Sequence, residues 1–238
     1  MKFQSGFGKR LAKHVALEWV PVFGAKILRK DPDAIRRPLL HRIISIEGPA
    51  PSVWSGPIFI HIPKAAGTSI LATGVQWCRG HQPYRFYERH LPKNIPMPFT
   101  FTVVRHPLDR YISAFYYLRA GGITAQDRSW SERNIPRGCD HNSFAEVLAQ
   151  RPRLLKQMHL KPQVSALLSE SGRVGPNEVL RLENLAEEWP RFAAEHGLRR
   201  ELKCSNAHTQ EVPPTTSRCR AIVKSLYRED LSLLEYDI

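Results

Sequence analysis

From residue 56 onward, short apolar runs rich in β-branched and aromatic residues alternate with stretches of helical periodicity. Pro57 to Ile62 reads as a first strand, Phe99 to Val104 as a second and Glu178 to Leu182 as a third. After the first, Ile70, Leu71, Val75 and Cys78 fall on one face of a helix that Thr68 or Ser69 opens by satisfying its free N–H groups. After the second, Leu108, Tyr111, Ile112, Phe115 and Leu118 recur at helical spacing, and Gly121-Gly122 ends that helix. Ala120 to Asn142 is polar and reads as a surface insertion, after which Ser143-Phe-Ala-Glu146 has the form of a capping box. Leu185, Trp189 and Phe192 mark a helix ending at Gly197, and a last one begins near Thr216-Ser217 and carries Ile222, Val223, Leu226 and Leu234. Strands alternating with helices predict an α/β fold, a central parallel sheet flanked by helices in three layers.

The first 55 residues read differently, as a basic N-terminal arm before a domain spanning 56–238. Residues 1–42 hold ten Lys/Arg against Glu18, Asp31 and Asp33. Phe7, Leu11, Val15 and Trp19 recur every fourth residue, so this arm is either a basic amphipathic helix resting on an anionic membrane or a helix packed on the domain with a solvated basic face. The longest apolar stretch there, Val15 to Ala25, is broken by Glu18 and Pro21 and is too short to span a bilayer. No transmembrane anchor is expected, and the expected place is the cytoplasm, with peripheral contact at the inner membrane face as an option.

With 35 Lys+Arg against 22 Asp+Glu, the chain carries a formal charge of +13, which favours anionic partners without choosing among nucleotides, acidic glycans, nucleic acid and lipid. Cys78, Cys139, Cys204 and Cys219 are scattered, with no paired cysteines and no histidines at zinc-ligand spacing. Neither a metal nor a disulfide framework is expected.

The chemistry concentrates at two strand-to-helix turns. In Phe59-Ile-His-Ile-Pro-Lys-Ala-Ala-Gly-Thr-Ser69 the strand ends at a Pro-Lys turn and a loop of small residues. Such a loop gathers backbone N–H groups on one spot and suits a phosphate. Lys64 can reach over that phosphate, Gly67 lets the backbone approach, and the Thr68 and Ser69 hydroxyls can donate to it. Lysine precedes glycine here, the reverse of the nucleotide-triphosphatase motif, so a kinase or ATPase reading falls back. A second turn, Val104-Arg-His-Pro-Leu-Asp-Arg-Tyr-Ile-Ser113, puts an arginine on a strand end and a serine about two turns into the following helix, where both can converge on one anion. Two anion sites imply a ligand with two anionic ends.

In that order and context, the first segment resembles the 5′-phosphosulfate loop of sulfotransferases that use 3′-phosphoadenosine 5′-phosphosulfate (PAPS), and the second resembles their 3′-phosphate motif. The likeness covers about residues 56–237 and is nearest to the carbohydrate-modifying branch, the heparan 2-O- and chondroitin-type enzymes and their shorter bacterial relatives. It implies a P-loop-like fold. It also implies that Lys64, Ala65, Ala66, Gly67, Thr68 and Ser69 cradle the 5′ end of the donor and that Arg105 and Ser113 hold its 3′-phosphate. Ala65 stands where many members have Thr or Cys. A histidine between the two motifs serves that branch as general base; His90, in Tyr87-Glu-Arg-His-Leu-Pro92, matches by position, and His81 is its rival in the interval. Weaker likenesses lie in His159-Leu-Lys-Pro-Gln163, Glu183-Asn184 and Leu233 to Tyr236, which make Gln163 and Glu183 candidate neighbours of the site. Arg218 and Arg220 are candidates for a supplementary anion contact.

The expected reaction is transfer of a sulfuryl group from PAPS to a hydroxyl, on a glycan or glycolipid, with 3′,5′-adenosine bisphosphate (PAP) as product and no metal. Two other readings stay open: a kinase-like phosphotransferase, which needs an acidic magnesium site, and a non-enzymatic basic binder of nucleic acid or membrane. The last would spread basic and aromatic residues over one face, whereas the excess here sits in the N-terminal arm, so no specific nucleic-acid partner is expected.

Overall fold

A computed structural model describes residues 56–77, 81–91, 96–202 and 212–238. The N-terminal arm, with its Phe7 to Trp19 periodicity, and Cys78 and Cys204 lie outside these residues.

Four strands form one sheet in the order β2-β1-β3-β4: β1 Ile58–Ile60, β2 Gln76–Trp77, β3 Thr100–Val104 and β4 Glu178–Arg181. The sheet is parallel and flanked by helices, as the alternation predicts; β1 meets β2 with Ile58 opposite Gln76 and Phe59 opposite Trp77. Every residue of β1 and β3 is buried, the signature of a strand covered on both faces. β1 is a continuous apolar run, whereas β3 carries the two buried threonines Thr100 and Thr102. The buried Thr100 is satisfied locally, since its N–H and hydroxyl both donate to Asn177 Oδ1 at 2.8 and 3.1 Å.

The helices are α1 Gly67–Leu71, α2 Tyr84–His90, α3 Pro107–Arg119, α4 Ala125–Asn134, α5 His141–Gln150, α6 Val164–Leu167, α7 Leu185–Glu195, α8 Ser217–Leu226 and α9 Arg228–Leu234. Three differ from the sequence reading. The helix expected through Val75 and Cys78 stops at Leu71, because Gly74 at φ 86 turns the chain and Val75 leads into β2. Its periodicity belonged to a short helix plus an edge strand. The polar stretch read as a surface insertion contains α4, opened by Thr124, whose hydroxyl accepts the Asp127 N–H. Finally, α5 starts at His141, not Ser143: Asp140 is the cap, and Ser143 gives it both its N–H and its hydroxyl at 2.8 and 2.7 Å.

Two compact units divide the chain, their described residues falling within 56–61, 75–101 and 167–178 in the first and within 62–74, 102–166, 179–202 and 212–238 in the second. In the second, α8 packs on α5 and α3. Tyr111, Phe115, Leu118, Phe144, Leu148, Leu160 and Val223 are its fully buried centre. This core holds α3 rigid behind the Arg105 turn. Among the described residues no helix is long and apolar enough to cross a membrane.

Candidate active site

The loop between β1 and α1 belongs to the second unit and is shaped by backbone conformations that side chains rarely adopt. Lys64 and Ala66 both lie in the left-handed region, at φ 69 and φ 58. Each costs a non-glycine residue about 1–2 kcal/mol. Sequence reasoning gave the loop's freedom to Gly67, yet Gly67 sits at ordinary φ as the first residue of α1, and Ala66 precedes it as a cap without a side-chain bond. Thr68 and Ser69, expected to cap the helix, lie inside its first turn, with Thr68 exposed. Ala65 is fully buried and anchors the loop.

The strained loop has a brace. Arg110, only 1 % exposed, donates from Nε to the Pro63 carbonyl at 3.0 Å. Asp230, fully buried, accepts the Gln163 and Val164 N–H groups at 2.9 Å each and attracts the Arg110 cation. Gln163 then clasps the backbone of Arg105 from both sides, accepting its N–H at 2.9 Å and donating to its carbonyl at 2.8 Å. One buried polar chain thus runs from the Lys64 loop to the Arg105 turn. Gln163, a candidate neighbour of the site, touches the backbone of the Arg105 turn.

The Arg105 turn is held on its other side by Glu183, which accepts the His106 N–H at 2.6 Å and the Tyr236 hydroxyl at 2.8 Å. His106 Nε2 donates to the Asp237 carbonyl at 2.6 Å, and Arg181 lies over the Tyr236 ring at 4.6 Å. The weak C-terminal likeness around Tyr236 therefore marks a latch on this turn. Arg218 has a different fate: it pairs with Glu146 at 2.8 Å. Neither it nor the exposed Arg220 is drawn into this turn's hydrogen bonding.

Lys64, Arg105 and Ser113 all lie in the second unit, and the Lys64 and Arg105 charges sense each other. The Lys64 ammonium lies 4.4 Å from the centre of the Tyr117 ring on α3. Ser113, one turn before Tyr117 on the same face, is 7 % exposed. Burial, and then the nearby Arg105 cation, hold the Lys64 amine below the ordinary lysine range. Burial also lowers Arg105, opposed by Asp109 and Glu183. Among the described residues neither cation has a carboxylate within ion-pair distance. Two partly desolvated positive charges that repel each other, with no carboxylate at ion-pair distance among the described residues, suit an anion from outside.

His90 belongs to the first unit, at the end of α2. It is 8 % exposed, its ring stacks on Phe86 at 4.3 Å, and its Nδ1 donates to the Phe86 carbonyl at 2.7 Å. A carbonyl only accepts, so Nδ1 carries the proton and the basic lone pair is on Nε2. His81 is fixed in the same sense, by the His61 carbonyl at 3.2 Å, with its backbone at φ 54. Both histidines carry the tautomer that a general base needs. Tyr117, Arg110 and Asp230 escaped the sequence reading; the spacing of four between Ser113 and Tyr117 was the one available signal.

The sequence model of the sulfotransferase family matches residues 57–237. This chain belongs to the sulfotransferase family. The matched span holds both turns, the Gln163 clasp and the Tyr236 latch, so the braced frame is the family domain itself. No curated protein and no solved structure gives a significant match to the sulfotransferase. Among its described residues no three His, Cys, Asp or Glu side chains are grouped to hold a metal ion.

Proposed function

We propose that this sulfotransferase draws its sulfuryl group from PAPS and delivers it to a sugar hydroxyl on a glycan or glycolipid. The observation that carries the reading is the pair of half-buried, mutually repelling cations Lys64 and Arg105, neither of which has a carboxylate within ion-pair distance among the described residues. A donor with phosphate at both 3′ and 5′ positions would satisfy both. Lys64, with the amides of Gly67 and Thr68 and the hydroxyls of Thr68 and Ser69, receives the 5′ end, where Ala65 and Ala66 shape the loop. Arg105 and Ser113 receive the 3′-phosphate.

In the proposed reaction, His90 Nε2 takes the proton of the acceptor hydroxyl as its oxygen attacks sulfur in line. The new O–S bond forms while the bond from sulfur to the 5′-phosphate oxygen breaks, and PAP leaves with that electron pair. Lys64 neutralises the charge growing on the departing phosphate, the place where a fixed cation lowers the barrier most. His90 is favoured over His81 because its Nδ1–H is held by the shorter bond.

The test is PAP release from PAPS in the presence of a panel of neutral, uronic-acid and lipid-linked sugars. The wild type is expected to be accelerated by at least one acceptor, and His90→Asn to lose about 10²-fold or more of that acceleration. Equal acceleration in His90→Asn removes His90 from the mechanism, and an unresponsive wild type contradicts a sugar acceptor.

A further inference from the structure

Lys64 does not reach into open space: its ammonium rests against an aromatic ring that the protein has fixed in place. The Tyr117 hydroxyl donates to Asp127 Oδ2 at 3.1 Å and accepts the Ile123 N–H at 3.0 Å. Asp127 is 5 % exposed and is itself pinned, accepting from Thr124 Oγ1 at 2.9 Å and Gln157 Nε2 at 3.1 Å. His159 packs beside both, its ring 4.4 Å from that of Tyr117 and its Nε2 3.5 Å from Asp127 Oδ1. The turn that makes this possible depends on Gly122. At φ +61, a Cβ there would lie 2.4 Å from the Asp127 Cβ, so no other residue lets Asp127 come under the Tyr117 hydroxyl.

We infer that Tyr117, locked by Asp127 and His159, is a positioning residue that seats Lys64 over the 5′-phosphate end of the donor. The inference rests on the donor reading above and adds to it a residue outside both phosphate loops. A lysine has four side-chain torsions to fix and is a flexible point charge. A ring facing its ammonium attracts the cation while leaving N–H groups free to donate. Burial raises the Tyr117 phenol, which stays a neutral donor to Asp127 and so fixes where the end of the side chain lies. The left-handed backbone at Lys64 aims the side chain, and Tyr117 limits where its end can go.

The experiment is a double-mutant cycle on PAP affinity, by calorimetry, with Lys64→Ala, Tyr117→Leu and the combination, each checked for folding by thermal melting. Tyr117→Leu is expected to weaken PAP about 5- to 10-fold in the wild-type background, the size of a partly buried cation–ring contact. In the Lys64→Ala background it is expected to change affinity less than about 2-fold, because Tyr117 acts only through Lys64. An undiminished loss in that background, or no loss in either, overturns the inference. Should Tyr117→Leu fail to fold, phenylalanine and its 4-fluoro, 3,5-difluoro and 3,4,5-trifluoro analogues at position 117 keep the shape and drain the ring's negative face stepwise. Affinity is then expected to fall along the series only while Lys64 is present, and a flat series overturns the inference. If wild-type protein does not bind PAP, the donor reading fails instead.

Discussion

Lys64 has an unusual electrostatic position for a lysine, half-buried, beside another cation and held over a ring. Its amine should lose its proton at a lower pH than an ordinary lysine, because burial, and secondarily Arg105, penalise the charged form. Trace acetylation followed by mass spectrometry, with pH varied, measures this directly. The half-point for Lys64 is expected below that of exposed lysines, and Arg105→Gln should move it upward by removing the second cause while keeping most of the bulk. A half-point unmoved by Arg105→Gln would mean that the two cations do not sense each other. Lys64 and Arg105 were legible in the sequence because each stands at a strand end in a recognisable turn. Tyr117 was not, since a tyrosine at helical spacing reads as packing and its partner Asp127 lies in a stretch that reads as irregular.

At the scale of elements, the site is two strand-to-helix turns tied by a buried polar chain through Pro63, Arg110, Asp230, Gln163 and Arg105. Burial pushes the Asp230 carboxyl up against the pull of the two amides and Arg110. Removing its charge leaves Arg110 buried without a counter-charge, and Asp230→Asn is expected to cost about 3 kcal/mol in urea unfolding. Gln163→Ala removes the clasp on Arg105 together with a side-chain contact to Asp230. It is expected to cost about 1–2 kcal/mol of stability and about 10-fold in PAP affinity. A loss of stability without a loss of affinity would show that the clasp does not serve the Arg105 turn. None of this chain could be read from spacing, because its members are distant in sequence and meet only through the fold. The shortened α1 has a related cause: Leu71 and Val75 stand at helical spacing, yet Gly74 at φ 86 and pairing of the next residues with β1 turn Val75 toward a strand.

Over the whole molecule, the buried core of the second unit carries groups whose ionisation the fold resists. Burial, with Asp140 adding to it, raises the Cys219 thiol from 9.0 to about 11, and burial also raises Tyr111 and Tyr227. The unfolded chain therefore releases these protons at lower pH than the folded one, so their contribution is intact below about pH 9 and is lost as pH rises toward 11. The melting temperature should fall through that window, and less steeply in Cys219→Ala; a flat profile to pH 11 would contradict the burial. The parallel sheet and most helices were legible because apolar runs and helical periods are local signals, and both strand-to-helix turns were legible because each follows a strand and precedes a helical period. The central claim, that the two turns hold the two ends of one donor, is tested most directly by calorimetry of the wild type with PAP, 5′-AMP and ATP. The expected result is binding to PAP at least about 10-fold tighter than to 5′-AMP or ATP, an advantage worth about 1.4 kcal/mol or more, which Arg105→Ala abolishes. Equal affinity for PAP and 5′-AMP would contradict it.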